Sequence, residues 1–505
     1  MAGGAQSAPE RRALDCPMPP AIAPTDPEAA WFVVRGTDPP LACDGRNAVR
    51  AIRPTLQLTH RTGIPDTREA GVGLPLAGRS AHLRFGLDYR LGPLHLRLAP
   101  EGAIAGNEDY FAFTAAEQYY PGFNAPGDPN RSDFSSPWYF GAVSADLPSR
   151  PGQDIVARFH PGESGIWVIT RHTSIGATTA LPAWGPDVGE GLVLGRSAPG
   201  IPRIEVSTTL RTRWGSTNLR WFSGLALESR FFDQDSTNDR RGIAGVRLNH
   251  TIGGWHLGMS RTVMEGREGA GVRSAAALPY LRSVLGDTLI DLLSLDARLD
   301  TPESDGSLWT EVTRQTPLRS GQDLLRLPTE GIAIRFGFHQ RIARTDRVEW
   351  RVASEMVRLD QPAQRVGRHP ADFYTSPVVP QGWTHLGHSL GSGLGPGGQR
   401  QLLSLERWTA RLSLRTFGER VRWNDDALYR QFLPNWYRHD VTYQFGIRAA
   451  GEVLGTTSAV SLKWGRRTNY LFQNDFYIPG YRLQDITQWQ VGLTLSPAPR
   501  STPPR

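Results

Sequence analysis

The chain of 505 residues has no apolar run long enough for a membrane helix, which needs about 20 consecutive apolar residues. Its most apolar stretch, Leu289 to Leu299, is broken by Asp291, Asp296 and Arg298. Lysine is nearly absent: Lys463 is the only one, so the positive charge behind the net +7 is almost all arginine. Guanidinium makes planar two-point contacts with carboxylate and phosphate that an ammonium cannot. These arginines are scattered singly and no nucleic-acid module accompanies them, so no nucleic-acid partner is expected. Cysteine is scarce too. Cys16 and Cys43 are the only two, too few for a metal site, and in an oxidising compartment they are expected to pair as a disulfide. The N-terminus shows no basic start followed by an apolar core, the pattern of a secretory leader. No stretch is read as a serine-hydrolase elbow, a zinc-binding HExxH or a phosphate-binding GxxxxGK. Neither an enzyme nor a cofactor is expected.

What is present is alternation. At about 150 residues per domain the length would suggest three domains. Yet periodic segments run from about residue 49 to 495 with no linker-like interruption. Only 39% of residues are apolar and the mean hydropathy is −0.37. A barrel in lipid needs an apolar residue at every second strand position only, so its average hydropathy stays low. One large closed sheet therefore fits better than three cores, and better than a soluble sandwich, which would split into domains.

The units repeat clearly. Leu83, Phe85, Leu87, Tyr89 and Leu91 alternate with His82, Arg84, Gly86, Asp88 and Arg90, the period of two that marks a strand. Gly92-Pro93 turns the chain, and Leu94, Leu96 and Leu98 return against His95 and Arg97. Similar hairpins recur at Gly215-Ser216 and Gly253-Gly254. Some 16 to 19 strands of about ten residues follow, the length of a tilted membrane strand. Short glycine turns alternate with long connections at about 101–153, 173–202, 229–241, 264–288, 360–400 and 470–484. Outer-membrane barrels keep short turns on the periplasmic face and long loops outside. Trp214, Trp255, Trp350, Tyr443 and Trp464 suit interfacial girdles. The expected class is all-β, a transmembrane antiparallel barrel in the bacterial outer membrane, with one short helix at Ser274–Leu285 in a loop or plug. Residues 1–46 read as a periplasmic lead, 47–496 as the barrel and 497–505 as a disordered tail.

Two loops carry unusual composition. Leu181 to Ile204 is tight with Gly and Pro and offers Trp184, Asp187, Glu190, Arg196 and Arg203. An aromatic face beside charged groups suits a sugar, the ring against C–H faces and the charges on hydroxyls. A loop folded inward to brace the wall, with Trp184 packed, is the plainer reading. Tyr374 to Gly398 is glycine-dense and carries Trp383, His385 and His388. Histidines three apart share a face on a helix, which the local Gly and Pro disfavour, so no metal is expected there. Inward arginines such as Arg84, Arg97, Arg211 and Arg335 would line an electropositive lumen.

The stretch from Trp184-Gly185-Pro186-Asp187 to Pro199-Gly200-Ile201-Pro202-Arg203-Ile204, the run from Ser354 to Asp360 with Tyr374 to Ser392, and the hairpin Gly245 to Gly266 together resemble the Wzi-type capsule assembly proteins. The resemblance covers roughly residues 75 to 496 and rests on Gly, Pro and Trp spacing. It departs where Asp187 stands for the usual glycine, and where the chain ends SPAPRSTPPR rather than on an aromatic. It implies an 18-stranded barrel, plugged inside, that anchors capsular polysaccharide without catalysis. The polysaccharide-binding residues would be Trp184, Asp187, Arg196, Arg203, Trp383, His385 and His388. Surface polysaccharide, membrane lipid and lipopolysaccharide would be its partners, and it would act as a monomer. The alternative from the same arginines is an anion-selective diffusive porin.

Overall fold

In the computed structural model, residues 48–498 are described apart from 67, 69–70, 75, 109, 111–112, 115–132, 135–144, 149–153, 183, 187–190, 233–239, 267–288, 302–304, 316–330, 362–372, 377, 432–438 and 473–484. The expected lead, the Cys16–Cys43 disulfide and the helix at Ser274–Leu285 lie outside the described residues.

Eighteen antiparallel strands close into one barrel. They are β1 (Ala48–Arg61), β2 (Gly78–Leu91), β3 (Leu94–Leu98 continued by Glu101–Ala105), β4 (Val156–His160 continued by Gly165–Ile169), β5 (Thr173–Thr178), β6 (Arg203–Thr212), β7 (Gly215–Leu227), β8 (Arg240–Ile252) and β9 (Trp255–Glu265). The second half comprises β10 (Leu289–Thr301), β11 (Gly306–Gln315), β12 (Ile332–Arg344), β13 (Val348–Arg358), β14 (Gln399–Thr409), β15 (Leu412–Trp423), β16 (Asp440–Val453), β17 (Thr456–Thr468) and β18 (Ile486–Pro497). Each strand pairs with the next in sequence, and β1 closes the ring on β18 through Leu56↔Leu495 to Arg61↔Gln490. Closure leaves no unpaired edge, as a sheet in hydrocarbon requires.

The pleat sorts the side chains. Leu83, Phe85 and Leu87 on β2, Leu257 and Met259 on β9, Phe336 on β12 and Phe445 and Ile447 on β16 all point outward and are exposed. Asp88, Arg90, His95, Arg97, Arg247, Asp296 and Arg335 take the inward positions and are buried. Exposed Trp214 and Trp255 sit by the short turns, and exposed Tyr443 and Trp489 by the long loops. A continuous apolar exterior between aromatic ends is the surface of a barrel in lipid. The protein is an outer-membrane β-barrel.

Two expected long connections are shorter than read. Glu101–Ala105 and Thr173–Thr178 are strands; their Gly and Thr content hides the alternation. Conversely, 62–77, 316–331 and 424–439 are long connections that the sequence reading passed over. The described residues hold a short helix, but it is α1 (Asp425–Gln431), in the loop between β15 and β16. Asp425 and Asp426 in its first turn suit the positive end of the helix dipole.

Candidate functional site

An 18-stranded barrel is wide enough to leave an aqueous channel unless its own chain fills it. Here the described residues of the loops 62–77, 179–202 and 359–398 fold inward at the long-loop end. The inward positions of the wall become apolar there: Phe222 and Ala226 on β7, Ile243 on β8, Met264 on β9, Ile290 and Leu292 on β10, Ala333 on β12, Val357 on β13 and Val421 on β15. Against them pack Trp184, Leu192, Val193, Leu194 and Ile201 from one loop and Phe373, Tyr374, Trp383, Leu390 and Leu394 from another. This core lies inside the barrel.

Polar groups knit the two loops to each other. Trp184 N–H donates to Leu194 O at 2.8 Å and closes the 179–202 loop on itself. Trp383 Nε1 donates to Val193 O at 2.8 Å, Gly195 N to Leu390 O at 2.6 Å, and Tyr374 Oη to Leu192 O. Gly391 has no room for a side chain, since a Cβ there would lie 2.2 Å from Tyr374 Oη and 2.4 Å from Leu192 O. The loops are also tied to the wall. Glu311 on β11 receives Leu192 N at 3.1 Å, Gln315 on β11 holds Tyr374 N at 2.6 Å and Thr375 O at 2.7 Å, and Arg241 on β8 reaches Gln381 at 3.0 Å. On the remaining arc, Arg68 spans Asp66 at 2.8 Å and Glu419 at 2.9 Å and lies over Trp423.

The two histidines share a face after all, by a route other than a helix. Leu386 and Gly387 have φ of 51° and 79°, the double left-handed turn of a tight hairpin, so His385 and His388 pair directly across it. His385 Nδ1 accepts from Leu227 N at 2.9 Å while Leu386 N donates to Leu227 O at 2.7 Å. His388 Nε2 faces Arg158 Nη1 at 2.8 Å. Burial, with His160 and Arg158 nearby, lowers the His385 pKa to about 3. Burial and Arg158 also hold His388 well below its ordinary value. Both rings are therefore neutral at physiological pH, and no group of three or more metal-ligating side chains forms among the described residues. Beside the hairpin, Asp146 accepts from Ser229 N and Ser229 Oγ, both at 2.6 Å. Burial raises its pKa to about 7.

Gly387-His388-Ser389-Leu390-Gly391 does have the Gly-x-Ser-x-Gly spacing of a hydrolase elbow. That elbow works on a strand-to-helix turn with serine bonded to a base. Here it spans a hairpin turn, and Ser389 Oγ has no hydrogen-bond partner among the described residues. The spacing comes from plug packing.

Trp184, Arg196, Arg203, Trp383, His385 and His388 are all buried, each 4% exposed or less. Trp184 packs edge-on to Phe222 at 5.2 Å, and Arg203 is bonded to Glu205 at 2.7 Å and to Ala180 O. Asp187 and Glu190 lie outside the described residues. Arg84, Arg97, Arg211 and Arg335 occupy inward positions. Arg335 meets Glu355 at 2.6 Å, and Arg97 and Arg84 meet Glu163 at 3.0 and 4.0 Å. Gln315, Gln381, Glu311 and Tyr374, which join the plug to the wall, were not singled out. Their only mark in the sequence is a polar residue on a strand, Glu311 and Gln315, or a glutamine or tyrosine inside a Gly/Pro loop, Gln381 and Tyr374.

No protein-family model matches the chain, and no curated protein matches it in sequence. Solved structures do match in fold. The chain is similar to Wzi of Escherichia coli, described as an outer-membrane protein of group 1 capsule assembly and a carbohydrate-binding β-barrel. The two are 14% identical over 88% of this chain and 84% of that one, with a TM-score of 0.57. OccAB2 of Acinetobacter baumannii (8% identity, 88% and 98% coverage, TM-score 0.43) and OprD of Pseudomonas aeruginosa (8%, 88% and 93%, TM-score 0.42) are also similar. At these identities the likeness is one of fold.

Proposed function

We propose that this protein is a closed outer-membrane barrel that holds surface or capsular polysaccharide on its long-loop face, as a monomer and without catalysing a reaction. The observation that carries the proposal is the occupied lumen. Two Gly/Pro/Trp loops, locked together by the Trp383–Val193 and Tyr374–Leu192 bonds, fill the end where a diffusive pore would open. In this reading Trp184, Arg196, Arg203, Trp383, His385 and His388 build the rigid platform under the glycan-holding face, and Asp187 is a further glycan-binding residue. A pre-ordered platform lowers the ordering cost of binding a flexible chain. The fold shared with a carbohydrate-binding barrel is consistent with it.

The anion-porin reading draws on the inward arginines, and the carboxylate partners of Arg84, Arg97 and Arg335 count against it, because a paired guanidinium is a poor filter for passing anions. The test is conductance of the purified barrel in planar bilayers, alongside retention of extracted capsular polysaccharide. The expected result is no unit conductance and polysaccharide retention that falls with Trp184→Ala or His385→Ala. A clear open pore would overturn the plugged-anchor reading.

A further inference from the structure

The outer wall is not uniform at the level of the long loops. On β14 to β18 the outward positions form a continuous polar row, flanked on β13 by Met356. Register places Met356, Gln401, Arg420, Tyr443, Arg466 and Thr487 side by side on neighbouring strands. Arg358, Gln399 and Arg422 form the next row toward the rim. Neighbouring strands lie about 4.8 Å apart, so Arg420 and Arg466 stand roughly 10 Å apart with the exposed Tyr443 ring between them. Arg358 and Arg466 are each steadied by one carboxylate, Asp360 and Asp485, both at 3.0 Å. Their side chains nevertheless stay 45% and 55% exposed. A guanidinium carries five donors, so each keeps free N–H groups turned outward. Arg420 has neither ion pair nor hydrogen bond among the described residues.

Directly beneath these rows the wall is apolar and aromatic. Leu403, Phe445, Ile447, Leu462 and Val491 are exposed, and Phe445, Trp464 and Trp489 follow one another at 6.2 Å centroid spacing. By contrast, among the described residues the outward positions of β3 to β7 hold no charged side chain. At the long-loop level that wall presents Ile104, Phe159 and Ile204.

We infer that the β13–β18 wall binds a phosphorylated, acylated lipid of the outer leaflet. Its phosphates would sit on Arg420, Arg466 and Arg358, and its acyl chains would lie on the aromatic belt below. Three features select this ligand together: donors suited to two-point phosphate contact, their position at the headgroup edge of the belt, and the apolar track continuing from them into the hydrocarbon. A soluble anion would need only the first. The inference does not depend on what the plug or the long-loop face does.

The experiment uses the full chain in non-ionic detergent, with native mass spectrometry counting bound diphosphoryl lipid A. Parallel arms offer the same lipid without its phosphates, and inorganic phosphate as competitor. Variants are Arg420→Gln with Arg466→Gln, Arg420→Lys, and Arg407→Gln as a control arginine at the short-turn end, outward because it pairs with the outward Trp350. Heat-modifiable gel migration verifies that each is folded. At about 1 kcal/mol per arginine near a charged lipid surface, the double change should weaken retention about tenfold to thirtyfold. Arg420→Lys should lose part of it and the control none, and the dephosphorylated lipid should bind every form weakly. Equal retention by the double variant would overturn the assignment, as would displacement by inorganic phosphate at the concentration that displaces free lipid A.

Discussion

The two halves of the lumen differ although the same strands build both. Toward the long loops the inward positions are Phe222, Ile243, Met264, Ile290 and Val357 and pack a dry core of loop residues. Toward the short turns they are ionic: Arg50 with Asp88 at 3.0 Å, Arg298 with Asp300 at 2.6 Å, Arg341 and Arg351 with Asp305 at 3.1 and 3.0 Å. The first half is held by packing, the second by charge pairing beside water. These respond differently to substitution, because a cavity in a dry core is not refilled while an exposed ion pair contributes little.

The largest effect should come from removing a plug anchor. Trp383→Ala deletes a fully buried ring and its bond to Val193 O, and buried Trp→Ala changes cost about 3–5 kcal/mol. The expected outcome is channel conductance in planar bilayers together with a lower temperature of heat-modified migration. An unchanged, silent barrel would erase the distinction between the two halves.

Next comes the boundary between them. Arg335→Ala leaves Glu355 and the nearby Glu311 without their buried guanidinium, and breaking a buried pair costs about 3–5 kcal/mol. Denaturation in a detergent–urea series should show that loss. Arg335→Ala combined with Glu355→Ala should recover part of it.

A smaller effect is pH dependence at the plug rim, where two groups act with opposite sign. The His385 pKa falls from 6.5 to about 3 on burial. Its stabilising contribution is therefore present above pH 6.5 and declines as pH falls toward 3. The Asp146 pKa rises from 3.8 to about 7. Its contribution is whole below pH 3.8 and is lost as pH rises through 7. Between pH 3.8 and 6.5 the two slopes oppose and nearly cancel, so hydrogen-exchange protection at residues 227–229, corrected for the intrinsic rate, should change little in the parent protein. Asp146→Asn should expose a loss of protection toward acid pH and His385→Gln a loss toward neutral pH; profiles that stay flat in both variants would refute the assignment.

The smallest effect belongs to the short-turn half. Arg351→Gln breaks the contact to Asp305, whose partners are 33% and 42% exposed, and exposed pairs contribute about 0–1 kcal/mol. A shift in unfolding midpoint as large as that of Arg335→Ala would show that this half is as dry as the plug.

The hairpins around Gly92-Pro93, Gly215-Ser216 and Gly253-Gly254 were legible because period-two alternation and turn glycines are local signals. The segments 101–105 and 173–178 were not, because Gly, Ala and Thr blur the alternation and only pairing with β2 and β6 identifies them as strands. The Gly/Pro/Trp loops stood out in the sequence as ordered and unusual. Their inward brace was the plainer reading of Trp184, and the 4% exposure of that ring agrees with it. The facing of His385 and His388 was missed because spacing was tested against a helix alone, when a two-residue left-handed turn also brings residues three apart into register.

The sequence by itself determined that one large sheet faces apolar solvent on its outer side, since alternate residues of every strand must lie on opposite faces. It also carried the absence of a membrane helix, since a continuous apolar run is a property of the chain alone. Only the tertiary structure decided that the lumen is filled and that the buried tryptophans and histidines brace the loops. It alone gathered Arg358, Arg420 and Arg466 on one outer wall. Those outcomes depend on which residues distant in sequence meet across the closed ring, and closure is a relation between β1 and β18 that no local pattern contains.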